Sequence, residues 1–177
     1  MLLFKNALIL LISAWTFSVL PSFWSASFQI LDAEARIHLH IPSDDITASI
    51  GGLKTQITFD PAHLDDFKMT AEVKVATLTT GNAIRDIRFT SRKLLSRKKY
   101  PIIHFKSEKI QPVVNGYLVT GLLKIKDTEK PMVLDLTYRN GVIEGVSSIN
   151  LLDFGIPISE IRRENKLDVY LYLPVAN

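Results

Sequence analysis

The sequence predicts an all-β fold, an antiparallel eight-stranded barrel with a short helical cap. The first observation is a repeated alternation of apolar and polar residues, which is typical of strands that bury one face. The second is the two pairs Asn115-Gly116 and Asn140-Gly141, which favour tight hairpin turns. The third is size, because 177 residues with 47% hydrophobic and 22% charged residues fit one globular domain. Closure into a barrel removes exposed strand edges, so we expect a barrel rather than an open sheet.

Residues 1–27 have the features of a signal peptide. A single cation, Lys5, precedes an apolar run over residues 7–20, and Pro21 ends that run before the small residues 25–27. This pattern predicts cleavage before Phe28 and a barrel domain over residues 28–177. The apolar stretch is also nearly long enough to span a bilayer, so an uncleaved anchor is the alternative. We therefore expect a periplasmic or secreted protein.

Charge, cysteine content and motifs exclude several classes of function. The formal net charge of +3 is weak for a protein that binds nucleic acid through a strongly basic surface. The chain has no cysteine, which excludes disulfides, thiol nucleophiles and thiolate metal sites. The sequence contains no G-x-S-x-G motif and no phosphate-binding loop. These observations predict a protein that is not an enzyme.

The part of the chain before residue 80 predicts four short strands. Each has apolar residues at every second position and ends at residues typical of turns, such as Pro42 or Asp60-Pro61. The pair Gly51-Gly52 indicates a bend where the sheet curls. The predicted strands cover residues 35–41, 47–52, 55–59 and 69–76.

A helix is predicted over residues 82–95, lying across one end of the barrel. Asn82 is a suitable N-cap residue. Four apolar side chains fall near one helix face and would pack against the barrel. They are Ile84, Ile87, Leu94 and Leu95.

Three consecutive strands between residues 100 and 138 share one apolar face. Gly121 leaves a gap in that face where a side chain is missing. Two further strands are predicted over residues 142–151 and 167–173, and a short helical turn over 159–164. The apolar face is formed by Ile103, Phe105, Tyr117, Val119, Leu123, Ile125, Met132, Leu134, Leu136 and Tyr138.

These three strands resemble the YceI-like family of exported, lipocalin-like proteins. The shared motifs are Tyr-Pro-x-Ile-x-Phe-x-Ser from Tyr100, Gly-Tyr-x-Val-x-Gly-x-Leu-x-Ile from Gly116, and Lys-Pro-x-x-Leu from Lys130. The resemblance continues in Thr79-Thr80-Gly81-Asn82 with Arg85-Asp86, and in Asp153-Phe154-Gly155. It implies a lipocalin-like barrel that holds an isoprenoid-type lipid or quinone in an apolar pore, with no other cofactor.

The predicted ligand-binding residues follow from the apolar face and from this resemblance. Arg85 and Asp86 correspond to the Arg-Asp motif of the family, which orders the cap or meets a polar head group. Arg88 stands where relatives commonly carry His, which is one departure from the family pattern. The predicted apolar lining consists of Ile37, Leu39, Met69, Val73, Ile103, Phe105, Tyr117, Val119, Leu123, Leu134, Leu136 and Leu171.

Other readings of the sequence stay open. The same apolar side chains also suit a filled barrel that acts as an envelope stress module. His38 and His40 lie two apart on one strand, a spacing that suits a metal site or an enzyme. The sequence also leaves open whether the protein forms a homodimer. Its basic run either makes a transient contact with an anionic membrane or is an ordinary solvated surface. The residues for that membrane contact are Arg92, Lys93, Arg97, Lys98 and Lys99.

Overall fold

The computed structural model describes residues 26–60 and 63–176. Within these ranges the chain forms one ten-stranded sheet in which paired neighbours run antiparallel. The strands are β1 (Ala26–Phe28), β2 (Arg36–Ile41), β3 (Ile46–Ile50), β4 (Lys54–Phe59), β5 (Lys68–Lys74), β6 (Ile102–Val113), β7 (Gly116–Ile125), β8 (Thr128–Arg139), β9 (Val142–Asn150) and β10 (Lys166–Pro174). The helix is α1 (Ala83–Phe89). The predicted class, an antiparallel all-β barrel with a helical cap, is confirmed.

The sheet has ten strands, against an eight-stranded barrel predicted from nine candidate strand segments. The strand that sequence reasoning did not foresee is β1, which pairs with β4. It contains Ala26 and Ser27, which were assigned to the signal peptide because they follow the apolar run. Residues 1–25, the rest of that segment, lie outside the described residues, so the signal peptide and its cleavage stay a prediction.

The order of the strands requires the sheet to curl round on itself. The order is β1-β4-β5-β6-β7-β8-β9-β10-β2-β3, so β3 and β4 lie at opposite ends of the sheet. Only residues 51–53 connect them, and so short a link spans at most about 14 Å. Ser49 of β3 and Thr79 of the segment after β5 exchange two hydrogen bonds, at 2.8 and 2.9 Å. Lys74 N at the end of β5 also donates to Gly51 O at 3.1 Å. The sheet is therefore a barrel.

The alternation seen in the sequence corresponds to an inner and an outer face. Val119 on β7 and Leu134 on β8 are 0% and 2% exposed, whereas their neighbours in sequence are more exposed. Tyr138 was expected on the inner face but is 51% exposed. It stands two residues before the hairpin turn at Asn140, where the strand leaves the packed interior.

The cap is the segment between β5 and β6, residues 75–101, and its helix is shorter than predicted. α1 ends at Phe89 rather than near residue 95. Leu95 N then donates to Phe89 O at 3.0 Å and Arg97 N to Thr90 O at 3.1 Å, so the chain folds back as turns. Thr90 and Ser91 have low helix propensity, which is consistent with this end point.

The expected apolar helix face is also wrong. Ile84 and Ile87 are 82% and 67% exposed, whereas Leu94 and Leu95 are buried in the turns that follow α1. Because the helix stops early, the four residues never share one face.

Candidate ligand-binding cavity

A partly enclosed cavity of about 170 Å³ occupies the half of the barrel next to the cap. Its wall is formed almost entirely by apolar side chains. Nine of the fourteen predicted ligand-binding residues line it, because inward positions on neighbouring strands converge there. These nine are Ile37, Leu39, Met69, Val73, Ile103, Phe105, Leu123, Leu134 and Leu171. Contact between these residues and a ligand stays a prediction.

The cavity also has wall residues that sequence reasoning missed. Leu78, Phe89 and Leu95 come from the cap, whose irregular turns carry no periodic pattern. Leu151 and Ile156 come from the connection between β9 and β10. The remaining wall residues stand on or next to predicted strands, some of them at positions that the alternation had already marked as inward. They are Ile41, Ile46, Ala48, Ile50, Leu53, Thr55, Ala71, His104, Ile125, Met132, Ile149, Leu167, Val169 and Leu173.

The opposite end of the barrel is filled by side chains. Tyr117, Val119 and Leu136, which were predicted to line the pore, are packed here and do not reach the cavity. The Phe59 ring meets the Tyr117 ring edge-on at 5.1 Å between centroids, and the Phe67 ring at 6.3 Å. Such T-shaped pairs favour a solid aromatic cluster. The pore is thus hollow at the cap end only. We call the opposite end, which contains Phe59, Phe67, Tyr117, Val119 and Leu136, the filled end.

Gly121 marks the boundary between the two halves. It lies on the inner face of β7, where its missing side chain leaves room for the Phe105 ring from β6. A Cβ atom at residue 121 would stand 2.7 Å from that ring and would also meet Lys106 O. The missing side chain at residue 121 therefore leaves the space that the Phe105 ring occupies beside the cavity.

Besides His104, Thr55 is the polar residue in the cavity wall. Its Oγ1 is buried and has no hydrogen-bond partner within the described residues. It lies on β4 opposite Ala71 of β5, whose small side chain leaves space beside it. A buried hydroxyl without a partner costs free energy, and a bound molecule is one explanation for such an atom.

Asp86 joins α1 to the part of the cap that pairs with β3. Its carboxylate accepts hydrogen bonds from Thr80 N at 2.7 Å, Thr80 Oγ1 at 2.7 Å and Thr79 Oγ1 at 3.0 Å. The Thr80 hydroxyl lowers the pKa of Asp86 most, and the charge of Arg85 lowers it further. Thr79 is itself paired with Ser49 of β3. Arg85 and Asp86 are half-buried and stand outside the cavity wall, so the predicted role of ordering the cap fits Asp86.

The connection between β9 and β10, residues 151–165, closes a gap in the sheet. The register of β8 and β9 extends only to the pair Asp135 and Val146. Beyond it, Ser147 Oγ donates to Val133 O at 2.6 Å. Buried Asn165 holds the loop, because its side chain makes four hydrogen bonds of 2.7–3.2 Å to backbone atoms. The loop can therefore bring Leu151 and Ile156 to the cavity.

Two of the histidines, His38 and His40, stand outside the cavity wall, whereas His104 on β6 is one of its lining residues. His38 is exposed, and His40 Nε2 stands 3.2 Å from Asp45 Oδ1 on the outer face of β2. Across residues 26–60 and 63–176, no group of three or more His, Cys, Asp or Glu side chains has the arrangement needed to hold a metal ion. The same part of the chain contains no helix with the length and apolar character to cross a membrane.

An antiparallel barrel with an apolar cavity defines the class of β-barrel proteins that can accommodate a small hydrophobic ligand. The chain belongs to the YceI-like domain family, whose model matches residues 26–173. This confirms the resemblance seen in the sequence. A "UPF0312 protein" of Pseudomonas fluorescens is 30% identical over 149 residues, covering 75% of each chain.

Solved structures share the fold. BcnA of Burkholderia cenocepacia has a TM-score of 0.73 and 19% identity, covering 84% of this chain and 100% of BcnA. The YceI protein of Campylobacter jejuni has a TM-score of 0.63 and 22% identity, covering 75% and 85%. A polyisoprenoid binding domain from Saccharophagus degradans, described as implicated in plant cell wall breakdown, has a TM-score of 0.52 and 11% identity, covering 86% and 95%.

Proposed function

We propose that this protein is a non-catalytic carrier that holds an isoprenoid-type lipid or quinone in the cavity beneath the cap. The observation that carries the proposal is the apolar cavity of about 170 Å³ inside the barrel. A similar fold occurs in a protein described as a polyisoprenoid binding domain. The predicted signal peptide supports a periplasmic or secreted location, where such a carrier would meet membrane lipids.

The size of the cavity limits what it encloses at one time. A dry apolar cavity of about 150 Å³ holds one benzene molecule. A space of about 170 Å³ therefore encloses a group of roughly one isoprenyl unit. A longer ligand chain would extend out of the cavity. We expect it to leave at the cap, because the cap turns are not hydrogen-bonded into the sheet as strands. The polar end of the ligand would then lie at the cap side.

Affinity would come mainly from burial of the hydrocarbon. Each buried methylene contributes about 0.8 kcal/mol, so a five-carbon unit contributes roughly 3–4 kcal/mol before ordering costs. No charged or catalytic group is needed for this interaction. Loading of such a lipid requires contact with a membrane, and the basic residues of the cap favour that contact.

The test is to block the cavity and measure binding. Ala71→Leu adds three carbons to a small wall residue, and Thr70→Leu on the outer face of the same strand is the matched control. We expect Ala71→Leu to weaken binding of an added prenylquinone by about tenfold or more, because overpacking removes the space for the ligand. Circular dichroism verifies that both variants fold.

Mass spectrometry of an organic extract of the purified protein supplies the second measurement. A prenyl compound in the extract, absent from the Ala71→Leu protein and present in the Thr70→Leu protein, supports the proposal. Absence of any prenyl compound, together with no binding of added quinone, would contradict it and favour the filled-barrel alternative.

A further inference from the structure

The outer surface of the cap combines exposed isoleucines with a concentration of positive charge. Ile84 and Ile87 are 82% and 67% exposed, and Arg88 beside them is also exposed. Positions i, i+3 and i+4 of a helix lie on one face, so these three side chains form one outward patch. The half-buried Arg85 and Phe89 lie on the opposite face of α1, toward the barrel.

The charge of the chain is concentrated in this segment. Residues 75–101 contain seven basic residues and one acidic residue, Asp86, which gives a net charge of +6. The whole chain carries +3, so the remainder carries −3. The carboxylate of Asp86 already accepts hydrogen bonds from Thr79 and Thr80. Lys99 Nζ is paired with Asp127 Oδ2 of the β7–β8 turn at 3.6 Å, so one of the seven cations has an acidic partner outside the cap, and the cap keeps a concentration of positive charge.

The basic turns lie close to the exposed isoleucines. Ser96 N donates to Ser91 O at 2.7 Å, and Arg97 N to Thr90 O at 3.1 Å, which folds these turns onto the end of α1. Arg92, Lys93 and Arg97 are exposed on these turns. Apolar side chains flanked by cations are the pattern of segments that lie in the interface of an anionic membrane.

We propose that the cap is a docking surface for an anionic lipid bilayer, with Ile84 and Ile87 entering the interface and the flanking cations contacting lipid head groups. The charge complementarity between the cap and an anionic surface selects this partner. The proposal rests on the carrier function, because docking would place the cap end of the cavity against the membrane. Phe89 and Leu95 line the cavity from the same segment, so a ligand would pass at this point.

Flotation with phosphatidylglycerol–phosphatidylcholine vesicles tests the proposal. The variant Ile84→Ser/Ile87→Ser removes the apolar contact, and Arg88→Glu/Lys93→Glu reverses two charges. The matched control is Val133→Ser/Val146→Ser, since these valines are 49% and 50% exposed on the barrel wall. We expect the first two variants to lose vesicle binding by about tenfold or more and the control to retain it. Raising the salt from about 0.05 to about 0.5 M should also weaken binding of the wild type.

The results separate docking from ligand binding. Binding of a detergent-solubilised prenylquinone by Ile84→Ser/Ile87→Ser, combined with loss of vesicle binding, supports docking. Absence of wild-type binding to anionic vesicles overturns the docking proposal while leaving the carrier function intact, provided that the quinone still binds. Equal binding to pure phosphatidylcholine vesicles, or unchanged binding by the isoleucine variant, also overturns it. Salt-sensitive self-association of the wild type without vesicle binding would assign the patch to a second copy of the chain.

Discussion

The two ends of the barrel differ in how the same alternating pattern is used. At the cap end, inward side chains from all the strands β2–β10 surround a cavity. At the filled end, Phe59, Phe67 and Tyr117 meet edge to face and leave no space for a ligand. Both ends are apolar, so hydrophobicity alone does not separate a binding site from a core.

The difference is one of shape. Large aromatic rings fill the filled end, whereas Ala48 and Ala71 are small residues on the wall at the cap end. The hollow end is covered by the irregular turns of the cap and not by closely packed side chains of strands. A cavity therefore remains where the inward side chains are too small to fill the enclosed space. Whether they fill it depends on the side chains of several neighbouring strands together.

The largest expected difference between the ends is the cost of removing a leucine. Leu136→Ala at the filled end should lower the free energy of unfolding by about 2–5 kcal/mol, because close neighbours lose their contacts. Leu39→Ala at the cavity wall should lower it by only about 1 kcal/mol, because this half-buried side chain already borders empty space. Urea unfolding followed by circular dichroism measures both. Equal losses would contradict the distinction between the two ends.

Next in size is the effect of closing the gap at the boundary. Gly121→Ala places a methyl group 2.7 Å from the Phe105 ring. We expect a loss of about 1–3 kcal/mol of stability, and weaker quinone binding because the ring is pushed toward the cavity. Gly51→Ala is the control, since its Cβ would meet Thr77 at an ordinary 3.7 Å. Unchanged stability and binding in Gly121→Ala would show that Phe105 does not depend on this gap.

A smaller effect of opposite sign is expected at Thr55. Replacing its unpartnered hydroxyl by a methyl group in Thr55→Val should stabilise the ligand-free protein by about 1 kcal/mol. The exposed Thr58 lies on the same strand, and Thr58→Val should change stability by less than about 0.5 kcal/mol. Thermal or urea unfolding compares the two. Destabilisation by Thr55→Val would indicate that the hydroxyl has a partner.

The smallest effect concerns the pH dependence of the cap. The hydrogen bonds from Thr80 and Thr79 lower the pKa of Asp86 in the folded protein. Stability from this contact is therefore present above the ordinary Asp pKa of about 3.9 and is lost as the pH falls through the lowered value. Hydrogen exchange of the Thr80 amide should show a falling protection factor in that window. Asp86→Asn should remove this dependence, and unchanged wild-type protection down to pH of about 2 would refute it.

The sequence by itself determined the fold family and the inner face of the strands. Alternation at Val119, Leu123 and Leu134 requires these side chains to point inward in any sheet that buries one face. The motifs between residues 100 and 136 also identified the family, which the match over residues 26–173 confirms. These are local properties, since periodicity and turn residues act within a few positions of the chain.

Only the tertiary structure decided which inward residues border empty space. Tyr117 and Leu123 share one face of β7, yet the former packs against Phe59 and the latter lines the cavity. The exposure of Ile84 and Ile87 could not be predicted from the sequence either, because it depends on where α1 ends and on how the following turns fold back to Thr90. Packing and exposure depend on contacts between side chains that are distant in the sequence, and a local periodic pattern contains no information about such contacts.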